Sequence, residues 1–159
     1  FMAASVKLGE QQLPAIWADW NAVCARLDLP ERYDLYLTQF PFANAAAIGA
    51  GTPMVVINSR CVDLFDDLEL RTVLGHEAGH ILSEHVMYRT ALMILLEFSG
   101  ATRLPFLAGL PLMAVRMALL EWYRAAELSC DRAATLVNRD PLVTCRTMAS
   151  DSMPSPSAL

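Results

Sequence analysis

Apolar residues recur at Leu13, Ile16, Trp17, Trp20, Val23, Cys24 and Leu27, the three- and four-residue spacing that lines one face of a helix. The pattern predicts an amphipathic helix over 13–27, with Pro14 in the first turn, where a missing N–H costs nothing. The period then changes. Asp34–Gln39 and Met54–Asn58 are rich in Leu, Val, Ile, Tyr and Thr, with Gly49, Gly51 and Pro53 between them and small residues filling Ala43–Ala50. This predicts a small antiparallel sheet of two or three strands.

Helical spacing returns at Leu70, Val73, Leu74, Ala78, Ile81 and Leu82. A long helix is predicted from near Asp66, where Asp66 and Glu69 have capping-box spacing, to about Met87 or beyond. Residues 91–122 are the most hydrophobic stretch. Their longest charge-free run, Leu104–Val115, has twelve residues and contains Pro105, Gly109 and Pro111, whereas a spanning helix needs roughly 20. A buried helical hairpin, or a surface that touches a membrane or another subunit, is therefore expected there. A last long helix is predicted from Pro111 to about Val137, with Val115, Leu119, Trp122, Ala126 and Ala133 on one stripe and Leu120, Glu127 and Asp131 on another. Asn138–Pro141 ends it, and the Ser/Pro-rich tail 151–159 should add no regular element.

Composition narrows the function. A chain of 159 residues suits a single domain over 1–150. Its net charge of −5 and scattered basic residues argue against nucleic acid, which needs clustered Lys and Arg. Cys24, Cys61, Cys130 and Cys145 are widely spaced with no C-x-x-C pair, so free thiols and a reducing, cytoplasmic compartment are expected, with membrane association left open. The apolar start at Phe1–Val6 has no basic region ahead of it and does not read as a signal peptide. Beyond residue 138 the sizeable apolar groups are few: Leu142, Val143, Met148, Met153 and Leu159. The domain is thus expected either to continue past Leu159 or to be covered by a second copy of the chain.

The chemistry concentrates at His76-Glu77-Ala78-Gly79-His80, the pattern H-E-x-x-H inside the predicted helix. Spacing i, i+4 sets both imidazoles on one helix face, where they can reach one ion, and neutral imidazole is a good zinc ligand. Glu77 is rotated about 100° from His76, so it can lie beside an ion without ligating it and take a proton from activated water. An accidental match of five residues is the competing reading. It weakens because the chain has only three histidines and because burying two of them with a glutamate is costly unless something pairs them.

A catalytic zinc site needs a third protein ligand and an open position. His85 would point about 140° away from His80 on a continuous helix, and the metzincin pattern would need histidine and glycine where Val86 and Ser83 stand. Glu84 shares a face with His80, but two ligands from that helix already fill the accessible arc. Cys130 could be read as a ligand, although buried apolar cysteine is the commoner role. Glu127 lies on a separate predicted helix, followed at i+4 by Asp131; its competing reading is a solvated face paired with Arg124 and Arg132.

Glu127-Leu128-Ser129-Cys130-Asp131 is E-x-x-x-D downstream of H-E-x-x-H. Together these motifs resemble the HtpX and CAAX-prenyl-endopeptidase family of gluzincin metallopeptidases. The segment Asn44-Ala45-Ala46-Ala47, followed by Gly49, Pro53 and Val55-Val56-Ile57-Asn58, is also similar to the family's strand segment ahead of its active-site helix. The similarity spans about residues 33–137. It implies one zinc per chain held by His76, His80 and Glu127, with Glu77 as general base and Asp131 accepting a histidine N–H. It further implies an α+β, mostly helical, zincin-like fold, in which a small sheet packs on the active-site helix and a second ligand-bearing helix. Met54–Asn58 would be an edge strand that pairs with extended protein or peptide substrate. The chain departs from the family in lacking clear membrane helices and any evident oxyanion donor; Tyr123 is a candidate. The expected function is a zinc metalloendopeptidase, against the alternative of a catalytically silent zinc module that docks a partner or membrane through 91–122. Peripheral membrane contact and self-association remain open.

Overall fold

The stripe after Leu13 folds as helix α1 (Pro14–Arg26), burying Ile16, Trp20, Val23 and Cys24. Trp20 Nε1 donates to the Tyr33 carbonyl at 2.8 Å, which ties α1 to the entry of the sheet. The structure is a computed structural model that describes residues 5–30, 33–39, 44–49, 52–85, 88, 92, 94 and 106–151. The predicted hairpin over 91–122 falls partly, and the tail 151–159 almost wholly, outside those residues.

Four strands form one sheet: β1 (Ser5–Lys7), β2 (Leu35–Thr38), β3 (Ala45–Ile48) and β4 (Met54–Asn58), in the order β1-β2-β4-β3. β1 pairs with β2 and β3 with β4 in antiparallel fashion, but β2 and β4 run parallel. The sheet is therefore mixed, and two expectations are corrected. It is not purely antiparallel, and Met54–Asn58 is not an edge strand. The physical reason lies in β4 itself, where Val55, Val56 and Ile57 are successive residues and all buried. A strand apolar on both faces belongs between partners. Among the described residues, the edge on that side is the alanine-rich β3.

A short helix α2 (Ser59–Leu64) leads into α3 (Asp67–Leu82). The capping box forms as read: Glu69 N donates to Asp66 Oδ1 at 2.8 Å, and Asp66 N donates to Glu69 Oε2 at 3.1 Å. α3 ends at Leu82, short of the expected Met87. Glu84, two residues on, takes a left-handed backbone (φ 55°) that closes it.

Helix α4 (Phe106–Asn138) starts before Pro111, which falls inside it. A further helix, α5 (Pro141–Asp151), was not expected. Its signal was present: the Asp140 side chain accepts from Leu142 N at 2.9 Å, and Pro141 takes the first turn. α3 lies between β3 on one side and α4 on another, with α1 and α5 also packed on it. Gly75 and Gly79 let α4 come close. A Cβ at Gly79 would stand 3.0 Å from Cys130 Cα, and one at Gly75 3.1 Å from Ala134 Cα. Trp20, Leu35, Val55, Ile57, Leu74 and Val137 belong to the resulting core. Among the described residues, no helix is long and apolar enough to cross a membrane.

Candidate active site

The close crossing of α3 and α4 brings the motif residues together. His76 and His80 stand one turn apart, with ring centroids 5.0 Å from each other. Both turn Nε2 toward the Glu127 carboxylate, His76 at 3.2 Å from Oε2 and His80 at 3.6 Å from Oε1. On its other side, His76 Nδ1 is 3.0 Å from Asp131 Oδ1, a contact that orients the ring and leaves Nε2 facing Glu127. Glu77 is buried on the β3 side of α3, where its Oε2 accepts a 2.7 Å hydrogen bond from Ala47 N. The base candidate is thus held by the edge strand while the three candidate ligands converge between α3 and α4.

The electrostatics favour a cation at that convergence. Burial opposes ionisation of Glu127, but hydrogen bonds from His76 and Tyr123 and the nearby imidazoles outweigh it, and its pKa is held down to about 2. His76 is driven the opposite way. Burial disfavours its charged form, yet Glu127, Glu77 and Asp131 together raise its pKa above the ordinary value. Glu127 Oε1 is buried and makes no hydrogen bond among the described residues. Two imidazole nitrogens and a carboxylate oxygen are a donor set that suits zinc, so the residues present fit the ion that the motif implies.

These groups open onto a cavity of about 340 Å³. Glu77, the two histidines, Glu127 and Asp131 form its polar wall, and Asn44 and Ala45 bring in the β3 edge. Val73 and Met148 add an apolar side, and Tyr123 completes the lining. Met148 comes from α5 and had no sequence signal; Tyr123 had one, since it precedes Glu127 by four residues. His85 is closer to the site than a continuous helix would allow. The break at Glu84 returns it to within 5.5 Å of the His80 ring, where it also packs edge-on against Trp122. It does not line the cavity. Cys130 lies beneath the histidines, 3.6 Å from His85 Nδ1, and its sulfur with one nitrogen from each of His76 and His80 forms a second donor cluster within 4.8 Å.

Comparison with known proteins identifies the family of the chain. The model of peptidase family M48 matches residues 10–150. The plastoglobule-localized metallopeptidase 48 of Arabidopsis thaliana chloroplasts is 39% identical over 115 residues, which cover 71% of this chain and 33% of that protein. The chain thus spans about a third of that relative's length. No solved structure matches it. The chain belongs to peptidase family M48, the metallopeptidases of the HtpX and CAAX-endopeptidase type.

Proposed function

We propose that this chain carries a zinc metalloendopeptidase site that hydrolyses peptide bonds in proteins or peptides, one zinc ion per chain being held by His76, His80 and Glu127. The observation that carries the reading is the convergence of both Nε2 atoms on the Glu127 carboxylate, 3.2 and 3.6 Å away, beside a cavity that Glu77 also lines. When bound, zinc supplies Lewis-acid polarisation of a carbonyl and brings the pKa of water toward roughly 7. Glu77 would take a proton from the attacking water and return it to the leaving amine. The Ala47 amide keeps Glu77 on the cavity wall next to β3. Asp131 holds His76 through Nδ1.

β3, rather than β4, offers the edge for an extended substrate. Asn58 N bonds the Asn44 carbonyl, so alternation along the antiparallel pair turns Asn44 and Ala46 toward β4 and the backbone of Ala45 and Ala47 outward. The Ala47 amide is taken by Glu77, and the remaining outward groups are placed to accept an added strand. A silent metal-binding module is the weaker reading, because such a site has no use for a carboxylate held beside the cavity.

The test is Glu77→Gln. The amide cannot accept a proton, so hydrolysis of a casein-type or fluorogenic peptide substrate should fall by about 10²–10⁴-fold, while metal content stays near one zinc per chain. Unchanged cleavage by this variant would remove Glu77 from the mechanism.

A further inference from the structure

Glu127 needs restraint that its own side chain cannot supply. It has three rotatable bonds, and its two oxygens sit beside different histidines, Oε2 near His76 and Oε1 near His80. A carboxylate so placed is free to offer either oxygen to an ion, or both. Tyr123 stands four residues earlier on α4, so it shares the helix face of Glu127. Its ring lines the same cavity, and its hydroxyl donates a hydrogen bond to the Glu127 carboxylate. A tyrosine has only two side-chain torsions, so this donor is stiffer than the group it holds. Asp131 has the corresponding role a turn beyond Glu127, against His76 Nδ1 at 3.0 Å. One face of α4 thus carries a partner for the carboxylate, the carboxylate itself, and a partner for the histidine, at successive i, i+4 positions.

We propose that Tyr123 is a positioning residue of the metal centre: its hydroxyl holds one oxygen of Glu127 so that the other is presented to the ion. The hydrogen bond occupies a lone pair on the held oxygen and disfavours symmetric chelation. It also keeps the carboxylate in place before the ion arrives. This inference rests on the zinc reading above, and Tyr123 need not touch substrate for it to hold.

The test compares the parent chain with Tyr123→Phe, which keeps the ring and removes only the donor. Zinc affinity is read by titration against a competing fluorescent chelator, and coordination by the visible absorption of the Co²⁺-loaded proteins. Loss of a hydrogen-bond partner to a ligand typically costs about 10–100-fold in metal affinity. We expect a drop of that size, an altered cobalt spectrum, and a metal-free melting temperature equal to the parent's. Parent-like zinc affinity with an unchanged cobalt spectrum would overturn the role of Tyr123 and leave the zinc reading intact. So would a lowered metal-free melting temperature with parent-like affinity, which is the signature of a merely structural contact. If the parent itself binds no zinc, the zinc reading fails and takes this inference with it.

Discussion

Cys130 and Glu127 sit three residues apart on α4, and both reach the two histidines. They differ in what surrounds them. The Cys130 thiol is buried against His85 at 3.6 Å and faces no open space. Burial, reinforced by the nearby Glu127 and Glu77 charges, pushes its pKa up to about 12. A thiol ligates only after losing its proton, and here that loss is disfavoured before any ion arrives. Glu127 is ionised and borders the cavity, where a catalytic ion needs its open position. Cys130→Ser should therefore leave zinc affinity within about threefold, while Glu127→Ala should lower it by more than the ~10–100-fold that follows loss of an outer partner. Chelator competition on both variants checks the order; the reverse order would make sulfur the third donor. At this scale the sequence was most legible where function is local. H-E-x-x-H announces itself because i, i+4 on one helix is already a geometry. The place of His85 was not legible, because a continuous helix would turn it away and the left-handed Glu84 breaks that helix.

Two glycines set the distance between the helices that carry the site. At Gly79 a methyl group would meet Cys130 Cα at 3.0 Å and Ala133 Cβ at 3.1 Å, and backbone atoms cannot swing aside as a flexible side chain can. Gly79→Ala therefore opposes two effects. Helix propensity favours alanine by about 1 kcal/mol, whereas overpacking a close contact costs about 1–3 kcal/mol. The balance should be a net loss of about 1 kcal/mol in the metal-free protein and a further loss in zinc affinity, because α4 carries Glu127 and must move outward. Gly9→Ala is the control: a methyl there meets nothing within 4 Å, and its effect should stay within about 0.5 kcal/mol. Calorimetry of both variants decides the matter, and equal melting would show that the helices absorb the methyl group. Elements were legible where periodicity is strong, as in α1 and α3. The parallel pairing of β2 with β4 was not, because nothing in strand composition states the direction of a partner. The central place of β4 was written in three consecutive buried residues, Val55, Val56 and Ile57, which suit an interior strand better than the edge expected of it.

The site helix α3 is held on several sides, and the last of these was invisible to a count of large apolar residues. α5 packs on both α3 and α4 with a modest face in which Val143, Thr144 and Thr147 are buried. Threonine fills that role because its methyl packs while its hydroxyl is satisfied nearby. Thr147 donates to the Val143 carbonyl at 2.9 Å, and Thr144 Oγ1 accepts from Thr135 at 3.2 Å. Arg146 adds a 2.8 Å bridge to Glu69, the same residue that closes the α3 capping box. This pair is largely solvent-exposed on the arginine side, so Arg146→Ala should cost under about 1 kcal/mol. Removing the whole helix is different. A chain ending at Asp140 loses the buried valine and two threonine methyls, worth about 3 kcal/mol at ordinary burial values, and it uncovers the N-terminal half of α3. For a domain of this size that corresponds to a fall in melting temperature on the order of 10 °C. Zinc should still bind, since α5 supplies Met148 to the cavity wall but none of the proposed ligands. The expected result is thus a clear loss of stability with metal stoichiometry retained, read by calorimetry and metal analysis on the same preparation. A shortened chain that melts with the full one would show that α3 is held by α1, α4 and the sheet alone.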